Sequence, residues 1–267
     1  MEKPTTFGYR CLCGLLIGIG FILPGVSGGV MAVSMGLYRP MLDAVTGLVR
    51  APSASLRLLA PIGLGGAAGT LLGARALSLL MARWEKPLLF LFIGFILGGV
   101  PGMLREADRE GFRRKHLWAL LPGLALTLPF LLLGGAETRP ERLSLAQALA
   151  TGGVYALGTV IPGLSASFLL LRLGWYPAAL VAVGSVDAGV IAPMALGFAA
   201  VALATLRGVK WLFDHAGGYA GYGALGFALV SVGLVFPGAE GGVRGWAEWM
   251  LLATGAVIAG RMGKGKG

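Results

Sequence analysis

The sequence predicts an all-α polytopic membrane protein built as two inverted-topology repeats. Three observations carry that prediction: a succession of apolar stretches of bilayer length, a Lys/Arg bias between alternate loops, and an internal sequence repeat.

The chain is 56% hydrophobic and 13% charged, with a mean hydropathy of +0.80. A soluble domain carries about 25% charged residues, so water is not the main solvent of this protein. Apolar segments lie near 7–23, 27–48, 58–82, 88–104, 117–134, 144–160, 163–183, 188–206, 220–237 and 246–260. In hydrocarbon the backbone must satisfy its own hydrogen bonds, and the alternation of a barrel strand is missing, so these segments are read as helices. The 46 glycines and 14 prolines would break soluble helices, but membrane bundles use small residues to bring backbones together. Lys3, Arg10 and the apolar run to Leu23 have the layout of a signal peptide. No small-x-small cleavage site follows and the apolar pattern continues, so the segment is read as retained. Cys11 and Cys13 face different directions on one helix, and neither a disulfide framework nor a metal site is expected.

The loops between the segments fix the orientation. Counting crossings from the N-terminus puts 15 basic residues on its side of the membrane and five on the other: Arg83, Lys86, Arg139, Arg142 and Arg244. The acidic residues divide evenly, so the bias comes from Lys and Arg alone. The positive-inside rule then makes the N-terminal side, and the C-terminus with it, cytoplasmic. The net charge of +10 is thereby read as orientation and contact with anionic lipid heads, not as nucleic-acid binding.

The repeat is found by aligning residues 23–45 with 161–183 at an offset of 138: LPGVSGGVMAVSMGLYRPMLDAV over IPGLSASFLLLRLGWYPAALVAV. Eight of 23 positions are identical, among them Pro24/Pro162, Gly25/Gly163, Ser27/Ser165, Gly36/Gly174 and Tyr38/Tyr176. Further on, residues 61–75 align with 193–207 at an offset of 132, matching Pro61/Pro193 through Arg75/Arg207. An odd number of crossings separates equivalent points, so the halves, 1–138 and 139–267, are expected to be inverted. Each opens with a Pro-Gly-broken helix pair, re-entrant or fully spanning.

Inverted repeats with helices broken at corresponding places point to a substrate site between the halves. Proline removes a backbone donor and disfavours helix in the residue before it, so Leu23-Pro24-Gly25 and Ile161-Pro162-Gly163 are each expected to end a helix. Ser27 and Ser165 then start and cap the next one, and the first-turn amides of Gly28, Gly29, Ala166 and Ser167 form an anion cradle at the positive end of the helix dipole. A pair of kinks that only pack two helices is the competing reading.

Arg75 and Arg172 fall within apolar segments, and either guanidinium could grip a phosphate bidentately. Arg172, two turns beyond Ser165, ranks first, with pairing to a carboxylate such as Asp187 as its alternative; Arg75 could instead snorkel to the interface. Asp43 and Asp187 stand near segment ends, where coupling to protons competes with capping or solvation, and Glu85 is similar. Tyr38 and Tyr176 are read as headgroup-level anchors or contacts to a lipid head. His116 and His215 are read as surface residues, since no second ligand stands at metal spacing.

LPGVSGG followed by MGLY, and IPGLSAS followed by LGWY, resemble the motifs of the PopT family of polyprenyl-phosphate translocases. The similarity extends to the glycine-rich segments after each motif and to GFILGGVPGML at 94–104. It implies return of undecaprenyl phosphate, the carrier lipid of cell-wall glycan precursors, from the outer to the cytoplasmic leaflet of the bacterial inner membrane, without a cofactor. The positions that match the family motifs are Pro24, Gly25, Ser27, Gly28 and Gly29, and Pro162, Gly163, Ser165, Ala166 and Ser167. Ala166 stands where the family more usually has glycine.

Two other functions are weighed against this. Inverted-repeat undecaprenyl pyrophosphate phosphatases also carry Pro-Gly-x-Ser, but continue it with arginine and serine beside membrane glutamates. Here Gly28 and Ala166 hold the arginine position and no paired intramembrane glutamates occur, so the clamps and activated nucleophile of phosphoryl transfer are missing. A small-anion or ion-coupled transporter also fits broken-helix termini.

Overall fold

The structure is a computed structural model. It describes residues 6–26, 31–32, 35–37, 40–41, 43–44, 47–48, 50–109, 111–125, 139–161 and 165–262, and within the last range the side chains other than those at 210, 213, 214 and 244. Among the described residues the chain is helical and has no strand. Helix α1 spans Phe7–Ile22, with the Thr6 side chain accepting from the Tyr9 amide. It stops where the sequence predicts: Leu23, ahead of Pro24, is extended at φ −66°, ψ 125°, the conformation that proline imposes on its predecessor.

Helix α2 runs Pro52–Ala107. Fifty-six residues at about 1.5 Å each reach roughly 84 Å, far more than the ~30 Å hydrocarbon core. The helix bends at Trp84, whose φ −135°, ψ 47° lie outside the helical region, giving limbs at 52–83 and 85–107. A 3₁₀ turn over Arg114–Ala119 leads into α3, Leu120–Ala125. Helix α4, Leu145–Val160, opens with a capping box between Ser144 and Gln147. The short helices α5, Ala166–Arg172, and α6, Tyr176–Gly184, meet at 116°. Helix α7, Ala188–Val235, bends at Ala216, φ −144°, ψ 41°, and α8 spans Gly242–Met262. Both long helices contain the gaps that the sequence reading placed between segments. The chain passes those gaps through a single non-helical residue, not a loop.

Among the described residues three stretches are long and apolar enough to cross a membrane, Pro52–Ala107, Ala188–Val209 and His215–Val235, and the bent α5–α6 pair adds a fourth if taken together. Exposed tryptophans, Trp84, Trp118, Trp211 and Trp246, stand at or near the limb ends, where such rings favour the membrane–water interface. This is a membrane protein.

The sequence repeat returns as repeated packing. A β-carbon placed on Gly14 would strike the Ile62 backbone, and one on Gly152 would strike Met194; Gly65 lies likewise against Cys11, and Gly197 against Leu149. The same holds between more distant segments: Gly94 lies on Leu252 and Gly226 on Leu120, while Gly255 lies on Leu91 and Gly123 on Gly223. Every one of these pairs is related by the offsets 138 or 132, as are the bends at Trp84 and Ala216. The 85–107 limb of α2 therefore packs on α8, as the second limb of α7 packs on α3, and the absence of side chains lets the helix backbones touch.

Candidate functional site

The core between the halves is apolar: Leu77, Leu89, Phe92, Phe95, Phe168, Leu170 and Leu180 are buried around one cluster. Into it runs the first Pro-Gly turn, at Pro24 and Gly25. Pro24 is fully buried, and Gly25 adopts φ +79°, where a β-carbon would also stand 2.8 Å from Phe95 Cβ. Only glycine fits this turn, both for its backbone angle and for its space.

The Gly25 N–H donates to Ser165 Oγ at 3.4 Å, joining residues 140 positions apart. The two motifs thus meet. Ser165 stands at the N-cap position of α5, as predicted, but its side chain makes no cap bond to its own helix; the expected cap is corrected to a bond across the repeats. The Phe168 amide instead reaches the Ser165 carbonyl at 3.2 Å. Ala166 and Ser167 are buried.

Tyr176 is fully buried, and its hydroxyl donates to the Ile22 carbonyl at 2.7 Å. In an unbroken helix that carbonyl would accept from Val26, whose amide turns to Leu23 at 3.3 Å. Tyr176 therefore caps the end of α1, and the reading of it as a headgroup-level anchor is corrected. The buried Ser167 lies beside the side chains of Tyr155 and Tyr176. Tyr155 stacks on Phe21, with ring centroids 5.9 Å apart. A polar thread, from Gly25 and Ser165 to Ser167, Tyr176 and Tyr155, crosses the apolar core.

Ser27, Gly28, Gly29, Tyr38, Pro162 and Gly163 lie outside the described residues. Arg172 ends α5 and is half-buried, ahead of the turn at Gly174, φ +71°. Asp187 is not its partner. It accepts a fork from Arg142 at 2.8 and 3.0 Å and caps α7 through the Gly189 amide, which corrects the suggested Arg172 pairing and agrees with the capping alternative. The Arg142 guanidinium holds the Asp187 carboxyl below the usual carboxylate range. Arg75 has an exposed side chain and backbone packed beneath Gly184, at the far end of α6 from Tyr176. The structure thus does not bring it to the Gly25–Ser165 contact. Asp43 is exposed. Glu85 pairs with Arg139 at 2.7 Å in an exposed ion pair.

His116 is 7% exposed and stands edge-on to Tyr219, correcting its assignment to the surface; His215 is exposed and stacks on Trp211. The sequence reading also missed Glu248, buried at 4% exposure with Oε2 unpartnered and Lys86 at 3.9 Å from Oε1. Tyr155 was missed too. Its signal was legible as a polar stripe, Thr151, Tyr155 and Thr159, at helical spacing within an apolar segment.

With the Gly25 N–H and the Tyr176 hydroxyl engaged within the protein, the serine hydroxyls beside them are the groups suited to an anionic oxygen in this low-dielectric setting. Among the described residues no cluster of His, Cys, Asp and Glu could hold a metal ion.

A family model described as undecaprenyl phosphate translocase-like matches residues 1–105 and 90–248. The chain is 26% identical over 270 residues to a polyprenyl-phosphate transporter of Staphylococcus aureus, covering 95% of each protein. It is 29% identical over 189 residues to a polyprenyl-phosphate transporter of Vibrio cholerae, covering 64% of this chain and 59% of that one. No solved structure matches it.

Proposed function

Because the chain belongs to the undecaprenyl phosphate translocase-like family, we propose that it carries a polyprenyl phosphate, undecaprenyl phosphate in particular, across the bacterial cytoplasmic membrane as a transporter and not as an enzyme. The transporter names of both relatives support this. The observation that carries the site is the hydrogen bond from Gly25 to Ser165, which joins the two copies of the duplicated sequence motif.

In this reading residues 1–138 and 139–267 are inverted repeats. Each opens with a re-entrant pair, and the termini are cytoplasmic; the 116° bend between α5 and α6 and the reciprocal glycine contacts support it. The phosphate is received by Pro24, Gly25, Ser27, Gly28 and Gly29 of the first turn and by Pro162, Gly163, Ser165, Ala166 and Ser167 of the second, with Arg172 as the charged partner. A carrier of this kind removes the cost of drawing a charged head through hydrocarbon.

The test is binding of the purified protein to undecaprenyl phosphate, with uncharged polyprenol and the pyrophosphate as controls, by native mass spectrometry. Selective binding of the monophosphate, weakened in Arg172→Ala, is the expected result. Indifference to the head group would leave small anions as the substrate class to test.

A further inference from the structure

A groove of about 460 Å³ runs between α3 and α7. Its floor is made of small residues, Ala220, Gly223 and Ala224; its rim carries Leu212 and Tyr219, which are 40% and 39% exposed. One end is Ile161, the residue directly before the second Pro-Gly turn and four positions before Ser165. Tyr219, toward the other end, touches the ring of His116 at 4.8 Å, next to the basic run Arg113, Arg114 and Lys115.

The lining is apolar apart from Tyr219. Ala220 and Ala224 are 9% and 7% exposed, so the groove has a closed floor, while its half-exposed rim leaves one side open. An open-sided apolar channel lined at Ile161, one residue before the second Pro-Gly motif, has the layout needed by an amphiphile with one long tail. Small floor residues leave space for the methyl branches that a straight acyl chain lacks. Sites of this size bury most of a drug-sized ligand's surface, so a groove of about 460 Å³ takes the first few isoprene units of a longer chain.

We propose that this groove holds the head-proximal isoprene units of a polyprenyl phosphate, with the phosphate end at Ile161. The inference rests on the transporter reading above and adds to it a place for the tail. A second groove, of about 410 Å³, lies between α1 and α2 and is lined by Gly14, Phe21 and Gly63 among others. It serves as an internal control, because a β-carbon at Gly63 meets nothing within 4 Å.

The experiment measures binding of undecaprenyl phosphate, undecaprenol and geranyl phosphate to the full chain in detergent, for the wild type, Leu212→Trp and Gly63→Leu. Leu212→Trp narrows the groove from its exposed rim. It should weaken undecaprenyl phosphate and undecaprenol about tenfold by displacing a few methylene contacts, leave geranyl phosphate within about twofold, and be without parallel in Gly63→Leu. A photo-crosslinking residue at position 212 should label undecaprenyl phosphate, in competition with unlabelled undecaprenol but not with dioleoyl phosphatidic acid. Unchanged long-chain binding in Leu212→Trp, a loss in Gly63→Leu instead, or equal competition by phosphatidic acid would each overturn the assignment. Failure of the wild type to prefer the monophosphate over undecaprenol would count against the head-group site alone, since the undecaprenol arm still reports the tail.

Discussion

Tyr176 donates its hydroxyl proton to the carbonyl of Ile22, 154 residues earlier, at 2.7 Å and out of contact with solvent. The bond repairs a defect that Pro24 creates: the end of α1 lies in apolar surroundings, where water cannot satisfy its carbonyls. One half of the protein therefore completes a helix of the other.

Tyr176→Phe keeps the ring and orphans the carbonyl. The expected cost is about 1–3 kcal/mol, read as a lower Tm of the detergent-solubilised protein. An unchanged Tm would mean that the cap contributes nothing.

Gly25→Ala must place an alanine at φ +79° and press a β-carbon to 2.8 Å from Phe95 Cβ. Strain of about 1–3 kcal/mol from the backbone alone should reduce the yield of monodisperse protein sharply. Gly63→Ala, in open space, should express normally, and equal yields of the two would contradict the geometry.

Ser165→Ala removes the acceptor of the Gly25 amide, and Ser27 is its counterpart in the repeat. The double Ser27→Ala, Ser165→Ala variant should lose more affinity for undecaprenyl phosphate than Cys11→Ala with Cys13→Ala, by about tenfold for two lost polar contacts. Equal losses in isothermal titration would sink the cradle.

The Asp187 carboxyl is held below its ordinary range by Arg142. A depressed carboxylate stabilises the fold above its unfolded value, about 3.9, and that contribution is lost as pH falls through the folded value. The Arg142 side chain is 67% exposed, so the effect is small. Between about pH 5 and pH 3 the Tm of the wild type should fall slightly more than that of Asp187→Asn, which retains a capping side chain. Parallel curves would show that the pair contributes no stability.

Much of this was legible in the sequence, because its causes are local. Proline at 24 ended α1 at Ile22, and apolar lengths located the limbs of α2 and α7, though the helices extend up to nine residues beyond the apolar segments. Ser165 was placed correctly but given the wrong partner, since the position of a cap is local whereas the direction of its hydroxyl depends on Gly25, far away in the chain. Tyr176 misled for the same reason: a tyrosine near a turn has an interfacial composition, and only the approach of Ile22 reveals a buried donor. His116 beside a basic run looked solvated because the rings of Tyr219 and Tyr222 that cover it come from another helix.

The reciprocal seams set an order on biosynthesis. Gly94 leaves the ribosome 161 residues before Gly255, the glycine against which its neighbourhood closes. At about 5–20 residues per second, its bare backbone ridge waits roughly 8–30 s for a partner, while α3 waits less for α7. Nascent chains stalled or truncated before Gly242 would present that ridge to any passing helix. The final segment is thus the closing strut of the first half, and its loss would be felt near Gly94 and Gly98 before it was felt anywhere in the second.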